Sequence, residues 1–117
     1  VPSPDLAAFR AHSGKRLLWH GWADPALNPR ATIRYYKEVV DRDPRAAEDV
    51  RLFLLPGVLH CAGGPGPSQF DPVEPIMNWV EKGTVPASMI VRKPAAGGPA
   101  TTPTCPAPRS TLRCAGW

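Results

Sequence analysis

The sequence predicts an α/β fold in which parallel strands are flanked by helices. Two stretches, residues 15–19 and 50–55, contain consecutive apolar residues at 17–19 and 52–55, are bounded by turn residues and are typical of buried strands. The segment between them, residues 28–43, has apolar residues at helical spacing. The order strand, helix, strand is a βαβ unit, and its crossover places both strands parallel in one sheet.

The length of 117 residues suits a single domain. The 16 prolines and 10 glycines concentrate at residues 56–75 and 94–108. We interpret the first stretch as a loop within the fold and the second as part of a tail. The predicted organisation is therefore a folded part at residues 1–93 and a Pro/Gly-rich, Cys-containing tail at residues 94–117.

Charge and composition argue against several classes of protein. The formal net charge is +4, but the basic residues are scattered singly and form no cluster interleaved with aromatic residues, so nucleic-acid binding is not expected. No apolar run approaches the roughly 20 residues needed to cross a bilayer, so no membrane partner is expected. The histidines and cysteines show none of the spacings typical of metal sites, and we predict no metal site.

A short helix is predicted at the N-terminus. Ser3 can cap this helix, Pro4 suits its first position, and Asp5 favours the positive end of its dipole. Residues 12–14 end it before the first strand.

The helix of the βαβ unit begins with the cap-plus-proline pair Asn28-Pro29 and closes before Pro44. Its predicted apolar stripe consists of Ile33, Tyr36, Val39 and Val40. A charged linker at residues 45–49 then leads to the second strand.

A third helix is predicted after Asp71, which can cap it, with Glu74 placed to reach back in a capping box. Its predicted core-facing stripe consists of Val73, Ile76, Met77 and Val80. Gly83 follows as a natural stop. We expect a short extended piece at residues 86–90 and no regular structure beyond residue 94.

A side chain suited to proton chemistry follows each strand of the βαβ unit. Asp24 comes after the first strand and His60 after the second. Because the carboxyl ends of parallel strands meet at one sheet edge, we expect these two side chains to lie close together. A carboxylate that orients a histidine is part of a Ser-His-Asp triad. The nucleophile is missing, because no serine stands in a G-x-S-x-G elbow.

Simpler interpretations of the same residues stay open. His60 could be a loop histidine without chemistry, Asp24 could merely cap the turn ahead of Pro25, and Cys61 could be an inert buried thiol. His20, at the end of a strand, is more often a structural residue bonded to backbone. A non-catalytic interaction module, or a degenerate or mis-joined gene product, would need no triad.

The three cysteines are an odd number. Cys105 and Cys114 both lie in the tail, where a local disulfide would hold a segment with little core of its own. Cys61 is then left without a partner in this chain.

Several uncommon strings follow one another along the chain. They are HGWADP (20–25), RYY (34–36), LPGVLHCAGGPGP (55–67) with Phe70-Asp71 after it, and NWVEKGTVP (78–86). Cys105-Pro106 and Pro108 add a C-P-x-P pattern. Together the strings resemble the C-terminal part of the tannase and feruloyl esterase family.

The resemblance implies the C-terminal portion of an α/β-hydrolase fold with an incomplete sheet. It implies a carboxylic ester hydrolase that cleaves esters of phenolic acids or related aromatic esters, with Asp24 as the triad acid and His60 as the triad base. It also implies a disulfide from Cys61 to a cysteine outside this chain, next to the nucleophilic serine. Such an enzyme would be secreted or periplasmic.

Other parts of the implied site would precede Val1, so we expect a chain that is entered partway along. They are the serine, the oxyanion hole and a lid that shapes the pocket and carries calcium in this family. The expected partners are a small aromatic ester and the remainder of the esterase chain, with no cofactor in this chain and no esterase activity for this chain alone. The tail departs from the family pattern at Ala107 and over residues 111–117.

Overall fold

Helices and short strands alternate along the part of the chain that the computed structural model describes, residues 2–93 and 104–106. In chain order the elements are α1 (Ala7–Ala11), β1 (Arg16–Gly21), α2 (Pro29–Arg42), a 3-10 helix (Pro44–Glu48), β2 (Val50–Leu55), α3 (Val73–Lys82), β3 (Ser88–Ile90) and β4 (Thr104–Pro106).

The βαβ unit consists of β1, α2 and β2. The two strands pair in parallel, with Arg16 opposite Val50 and Gly21 opposite Leu55. Both strands therefore end at the same level, and the loops that follow them leave from one edge of the sheet.

Side chains of β2 are buried on both of its faces. Leu52 and Leu54 pack with Ile33 of α2, whereas Phe53 and Leu55 pack on the other side of the sheet in a cluster that includes residues of the β3 region. A strand covered on both faces needs a nearly continuous apolar run, which is what residues 50–55 provide.

The start of α2 follows its sequence prediction, because the Asn28 side chain accepts a hydrogen bond from a first-turn amide at 3.0 Å. Its core face differs in two positions. Tyr36 and Val40 are only partly buried, and Tyr35 is buried instead. The Tyr35 hydroxyl accepts from Arg16 at 2.8 Å and donates to the Ser3 carbonyl at 3.2 Å, so its polar end is satisfied.

The first helix begins later than the sequence predicted. The Ser3 hydroxyl accepts from the Asp5 amide at 3.1 Å, and the Asp5 carboxylate accepts from the Ala7 amide at 3.0 Å. These two side-chain turns occupy the residues that were expected to form the first helical turn. The prediction of Ser3 as the cap is therefore wrong.

The segment predicted as a charged linker forms the 3-10 helix, and ion pairs tie it to the N-terminal elements. The Arg10 guanidinium binds Asp49 at 2.6 Å and also binds Asp43, and Lys15 binds Asp49. Burial acts to raise the pKa of Asp49, but the hydrogen bonds from Lys15 and Arg10 outweigh it and hold that pKa below its usual value.

The predicted core face of α3 is wrong. Val73, Met77 and Val80 are about half exposed, at 55%, 49% and 60%. The one fully buried residue of α3 is Trp79, whose ring lies 5.7 Å from the guanidinium of Arg51 in β2. The helix is turned toward its largest side chain, because burying an indole removes far more apolar surface than burying a valine.

Both ends of α3 use the residues expected there. Asp71 accepts from the Val73 amide at 2.8 Å, and Gly83 ends the helix with a left-handed φ of 70°. Glu74 does not complete the predicted capping box, because its side chain makes no hydrogen bond within residues 2–93.

Regular structure also occurs beyond residue 94, where none was expected. β4 pairs antiparallel with β3, Met89 lying opposite Cys105. An edge strand such as β3 presents unpaired backbone groups, and β4 satisfies them. The domain boundary between residues 93 and 94 stays a prediction.

Candidate active site

Asp24 lies in the turn that follows β1. The Trp22 amide donates to the Leu55 carbonyl at 2.9 Å, and the Ala23 amide donates to the Val58 carbonyl at 3.1 Å. These bonds extend the pairing of the two strands past the sheet and bring the turn beside the loop after β2. The carboxylate of Asp24 is thereby directed toward that loop.

One oxygen of Asp24 is used to close its own turn. Oδ1 accepts from the Ala26 amide at 2.8 Å and from the Leu27 amide at 2.9 Å. The simpler interpretation of Asp24 as a turn cap is thus correct for Oδ1. It leaves Oδ2 available for another partner.

His60 lies in a tight loop after β2. The Leu59 amide donates to the Gly63 carbonyl at 3.1 Å, and the Ala62 amide donates to the His60 carbonyl at 2.7 Å. Cys61 has a left-handed φ of 61°, which is uncommon for a residue other than glycine. The loop projects the imidazole of His60 to the edge of the sheet.

The structure brings Asp24 and His60 together, although they are 36 positions apart in the chain. His60 Nδ1 lies 2.9 Å from Asp24 Oδ2. The Asp24 side chain is 3% exposed and that of His60 is 47% exposed. His60 Nε2 makes no hydrogen bond to any residue within 2–93. A buried carboxylate that holds Nδ1–H leaves the Nε2 lone pair free, which is the arrangement of a general base.

Electrostatics favour the ionised form of Asp24. Burial acts to raise the pKa of this carboxyl, but hydrogen bonds from the Leu27 amide, the His60 ring and the Ala26 amide outweigh burial and hold the pKa well below its usual value. The carboxylate is therefore charged at neutral pH and can stabilise an imidazolium on His60.

A second histidine contacts the same carboxylate. His20 Nε2 lies 3.1 Å from Asp24 Oδ2 and 3.1 Å from the Leu27 carbonyl. The expected backbone contact of His20 is confirmed by the second of these distances, but sequence reasoning missed the first.

Gly21 lets the two loops approach each other closely. A Cβ at this position would lie 2.4 Å from the carbonyl oxygens of Val58 and Leu59. Only glycine fits there, because those atoms belong to the backbone of the segment that leads into His60.

Comparison with known proteins places this chain in a family. The family model described as tannase and feruloyl esterase matches residues 2–113. The chain belongs to the tannase and feruloyl esterase family. The resemblance read from the sequence is thereby confirmed.

Curated relatives of this family member include two named hydrolases. Mono(2-hydroxyethyl) terephthalate hydrolase from Piscinibacter sakaiensis is 41% identical over 111 residues, which cover 92% of this chain and 18% of the relative. A probable feruloyl esterase from Arthroderma benhamiae is 38% identical over 104 residues, covering 85% of this chain and 19% of the relative. The chain thus spans roughly a fifth of the length of these relatives.

Solved structures of similar proteins agree with this fold. The crystal structure of an esterase from Aspergillus oryzae matches 90% of this chain and 25% of that chain, with a TM-score of 0.81 and 25% identity. Tannin acyl hydrolase from Aspergillus niger matches 89% and 21%, with a TM-score of 0.79 and 28% identity. These likenesses are consistent with an α/β-hydrolase-like fold.

Cys61 follows His60 directly and is exposed as a free thiol. Its disulfide to a cysteine outside this chain stays a prediction. The predicted disulfide between Cys105 and Cys114 involves residues whose side chains lie outside the described part of the structure.

Among residues 2–93 and 104–106, no group of three or more His, Cys, Asp and Glu side chains could hold a metal ion. No helix in residues 2–93 is long and apolar enough to cross a membrane.

Proposed function

We propose that this chain supplies the acid and the base of a Ser-His-Asp triad in a carboxylic ester hydrolase. The observation that carries the proposal is the 2.9 Å contact between His60 Nδ1 and Asp24 Oδ2 at the carboxyl edge of the β1–β2 pair. Membership of the tannase and feruloyl esterase family supports it. In this view the chain is the C-terminal portion of an α/β-hydrolase domain, and the remainder of the sheet comes from the rest of the esterase chain.

The reaction begins with the nucleophilic serine, which the rest of the esterase chain supplies. His60 Nε2 takes the proton of the serine hydroxyl as the serine oxygen bonds to the ester carbonyl carbon. Asp24 keeps Nδ1–H in place and stabilises the imidazolium that forms. His60 then gives the proton to the departing alcohol, whose bond to the carbonyl carbon breaks and leaves an acyl-enzyme.

Deacylation repeats these proton transfers with water as the nucleophile. His60 Nε2 removes a proton from water as the water oxygen bonds to the acyl carbon. The serine oxygen leaves and recovers the proton from His60, which releases the carboxylic acid. The exposed position of the imidazole supports this role, because both the serine and the water must reach Nε2.

The proposed substrates are esters of phenolic acids or related aromatic esters. The support is the naming of two relatives, one as a mono(2-hydroxyethyl) terephthalate hydrolase and one as a probable feruloyl esterase. We assign the choice among such esters to the rest of the esterase, beyond the part that this chain matches.

We also propose that Cys61 joins the histidine loop to the serine loop through a disulfide, as the family resemblance implies. The exposure of its thiol supports this pairing. Such a bond persists in an oxidising compartment, so a secreted or periplasmic protein is expected. Peptide mapping of the native protein with and without reduction should find Cys61 bonded to a peptide outside these 117 residues.

The decisive experiment compares hydrolysis of an aryl ester by the natively expressed protein and by two histidine variants. His60→Ala should lose about 10⁶-fold in kcat, because the base of the triad is removed. His12→Ala is the matched control, since His12 bonds only to the Ala8 carbonyl in the described part of the chain. Activity of His60→Ala equal to that of the wild type would overturn the proposal.

Residues 1–117 in isolation should show no esterase activity above background, because the proposal assigns the nucleophile and the oxyanion hole to the rest of the esterase chain. Activity of the isolated residues that disappears in His60→Ala would contradict the division of the triad between this chain and the remainder.

A non-catalytic interaction module is the second candidate. The half-exposed apolar side chains of α3 favour it, because such surfaces often mark protein contacts. A native protein that hydrolyses no aryl ester and carries Cys61 as a free thiol would be explained by this candidate instead.

A further inference from the structure

We infer that His20 is a positioning residue, which donates the hydrogen on its Nε2 to Asp24 and so holds that carboxylate in place for His60. The inference rests on the proposed function, since it assigns Asp24 and His60 their roles. It goes beyond that function by giving the acid of the triad a second, fixed donor.

The environment of His20 Nε2 determines where its ring proton lies. Nε2 is 3.1 Å from Asp24 Oδ2 and 3.1 Å from the Leu27 carbonyl oxygen. Both of these oxygens only accept hydrogen bonds, the carboxylate because it is ionised. A lone pair on Nε2 would face two acceptors, so Nε2 carries the hydrogen and donates it.

The other ring nitrogen of His20 has a partner that can donate. Nδ1 lies 2.7 Å from the Thr32 hydroxyl, which belongs to the first turns of α2. The hydroxyl can donate to the lone pair of Nδ1 or accept from an Nδ1–H, so this nitrogen has a partner in either case. Both ring nitrogens of His20 therefore have hydrogen-bond partners within the protein.

His20 completes the set of donors on the Asp24 carboxylate. Oδ1 accepts from the Ala26 and Leu27 amides, while Oδ2 accepts from His20 and His60. During the reaction His60 alternates between imidazole and imidazolium, whereas His20 does not change. Oδ2 therefore keeps one constant donor, which resists rotation of the carboxylate while His60 works.

His20 itself cannot take part in proton transfer to a substrate. Its side chain is 12% exposed, and both ring nitrogens are occupied by Asp24, Leu27 and Thr32. Its action passes through Asp24, which makes it a positioning residue.

The first test is spectroscopic and does not require activity. In the natively expressed protein labelled with ¹⁵N-histidine, His20 should show a protonated Nε2 at neutral pH. His60 should show the Nδ1–H form in the wild type, and the population of that form should fall in His20→Leu. A His20 ring protonated on Nδ1 alone would overturn the inference.

The second test is kinetic and uses a donor-retaining variant. His20→Leu should lower kcat on an aryl ester by about 10- to 100-fold with KM within about twofold, since the carboxylate is misplaced but the substrate pocket is not. His20→Gln, whose amide can still donate to Asp24 Oδ2, should recover most of that loss. An unchanged kcat in His20→Leu, or an equal loss in both variants, contradicts a positioning role.

A second pair of variants covers the case in which His20→Leu does not fold. Thr32→Val removes the hydroxyl at nearly constant volume and should lower kcat several-fold, whereas Thr32→Ser keeps the donor and should restore it. Equal kcat values for Thr32→Val and the wild type would overturn the inference.

Failure of the proposed function is recognised separately. A wild-type protein without esterase activity removes the proposed function, and the ring-nitrogen resonances of His20 and His60 still decide whether His20 fixes Asp24.

Discussion

His60 Nδ1 and Asp24 Oδ2 lie 2.9 Å apart across the carboxyl edge of a parallel strand pair. Their separation is fixed by backbone bonds, since the Trp22 amide donates to the Leu55 carbonyl and the Ala23 amide donates to the Val58 carbonyl. The acid and the base therefore share one rigid support. Changes to that support should alter activity as directly as changes to the two side chains.

Asp24→Asn should lower kcat on an aryl ester by about 10³- to 10⁴-fold. An amide NH₂ facing His60 Nδ1 favours the tautomer with hydrogen on Nε2, which cannot accept the serine proton. The control is Asp41→Asn, an exposed carboxylate of α2. A loss of less than tenfold in Asp24→Asn, measured under saturating substrate, would argue against the assigned tautomer.

The stability that Asp24 contributes should depend on pH in a defined direction. The pKa of Asp24 in the folded protein is lowered from its ordinary value of 3.8, so its unfolded form binds a proton first as pH falls. The contribution is then fully present above the ordinary pKa and is lost as pH falls below 3.8 toward the folded pKa. The Tm difference between wild type and Asp24→Asn should accordingly shrink as pH falls below 3.8. A difference that does not change below this pH contradicts the assignment.

Gly21→Ala should destabilise the protein by about 1–3 kcal/mol and reduce esterase activity. The added methyl group would lie 2.4 Å from the carbonyl oxygens of Val58 and Leu59, so the backbone leading to His60 must shift. Gly14→Ala is the matched control, because the three atoms nearest to its methyl group belong to the exposed ring of Phe9, which can move away. Urea unfolding and kcat should both separate the two variants. Equal stability and equal kcat in the two variants would show that the loop after β2 can move without loss of stability or activity.

Trp79→Ala should destabilise the protein by about 3–5 kcal/mol. The indole is 1% exposed and is the residue through which α3 is buried. Trp79→Phe should be milder, because a ring remains beside Arg51. Denaturant midpoints of the two variants check this, and a Trp79→Ala protein as stable as Trp79→Phe would contradict the anchoring of α3 by this side chain.

The βαβ unit and the pairing of Asp24 with His60 could be predicted from the sequence, because they follow from local residue patterns and from the order of the elements. An apolar run, a cap-plus-proline start and a turn after each strand are readable in one dimension. The close approach of Asp24 and His60 then follows from parallel pairing, which places both strand ends at one edge.

Other features depend on which surfaces compete for burial, and one-dimensional patterns do not contain that information. The valines of α3 fit a helical stripe as well as Trp79 does, but the larger ring is buried. The side chain of Tyr35 is buried because Arg16 and Ser3, which are distant in sequence, satisfy its hydroxyl. Strand β4 was not predicted, because it forms by pairing with the edge of β3.

The contact of His20 with Asp24 was missed for a different reason. A histidine at a strand end has many possible partners, and the choice among them is set by the curvature of the turn at residues 21–27. That curvature depends on the bonds from Oδ1 of Asp24 to the Ala26 and Leu27 amides. A sequence pattern can name the residues of such a turn but not the direction of each ring.

Because β1 and β2 end opposite each other in the sheet, the distance between Asp24 and His60 does not depend on the length of the crossover. Residues added in the 3-10 segment, Pro44–Glu48, would enlarge a surface connection and leave the ladder unchanged. One residue added inside either strand would instead move a site residue by about 3.3 Å and turn every following side chain to the other face. Insertions and deletions among related chains should therefore accumulate in the crossover, while the two strands keep a constant length.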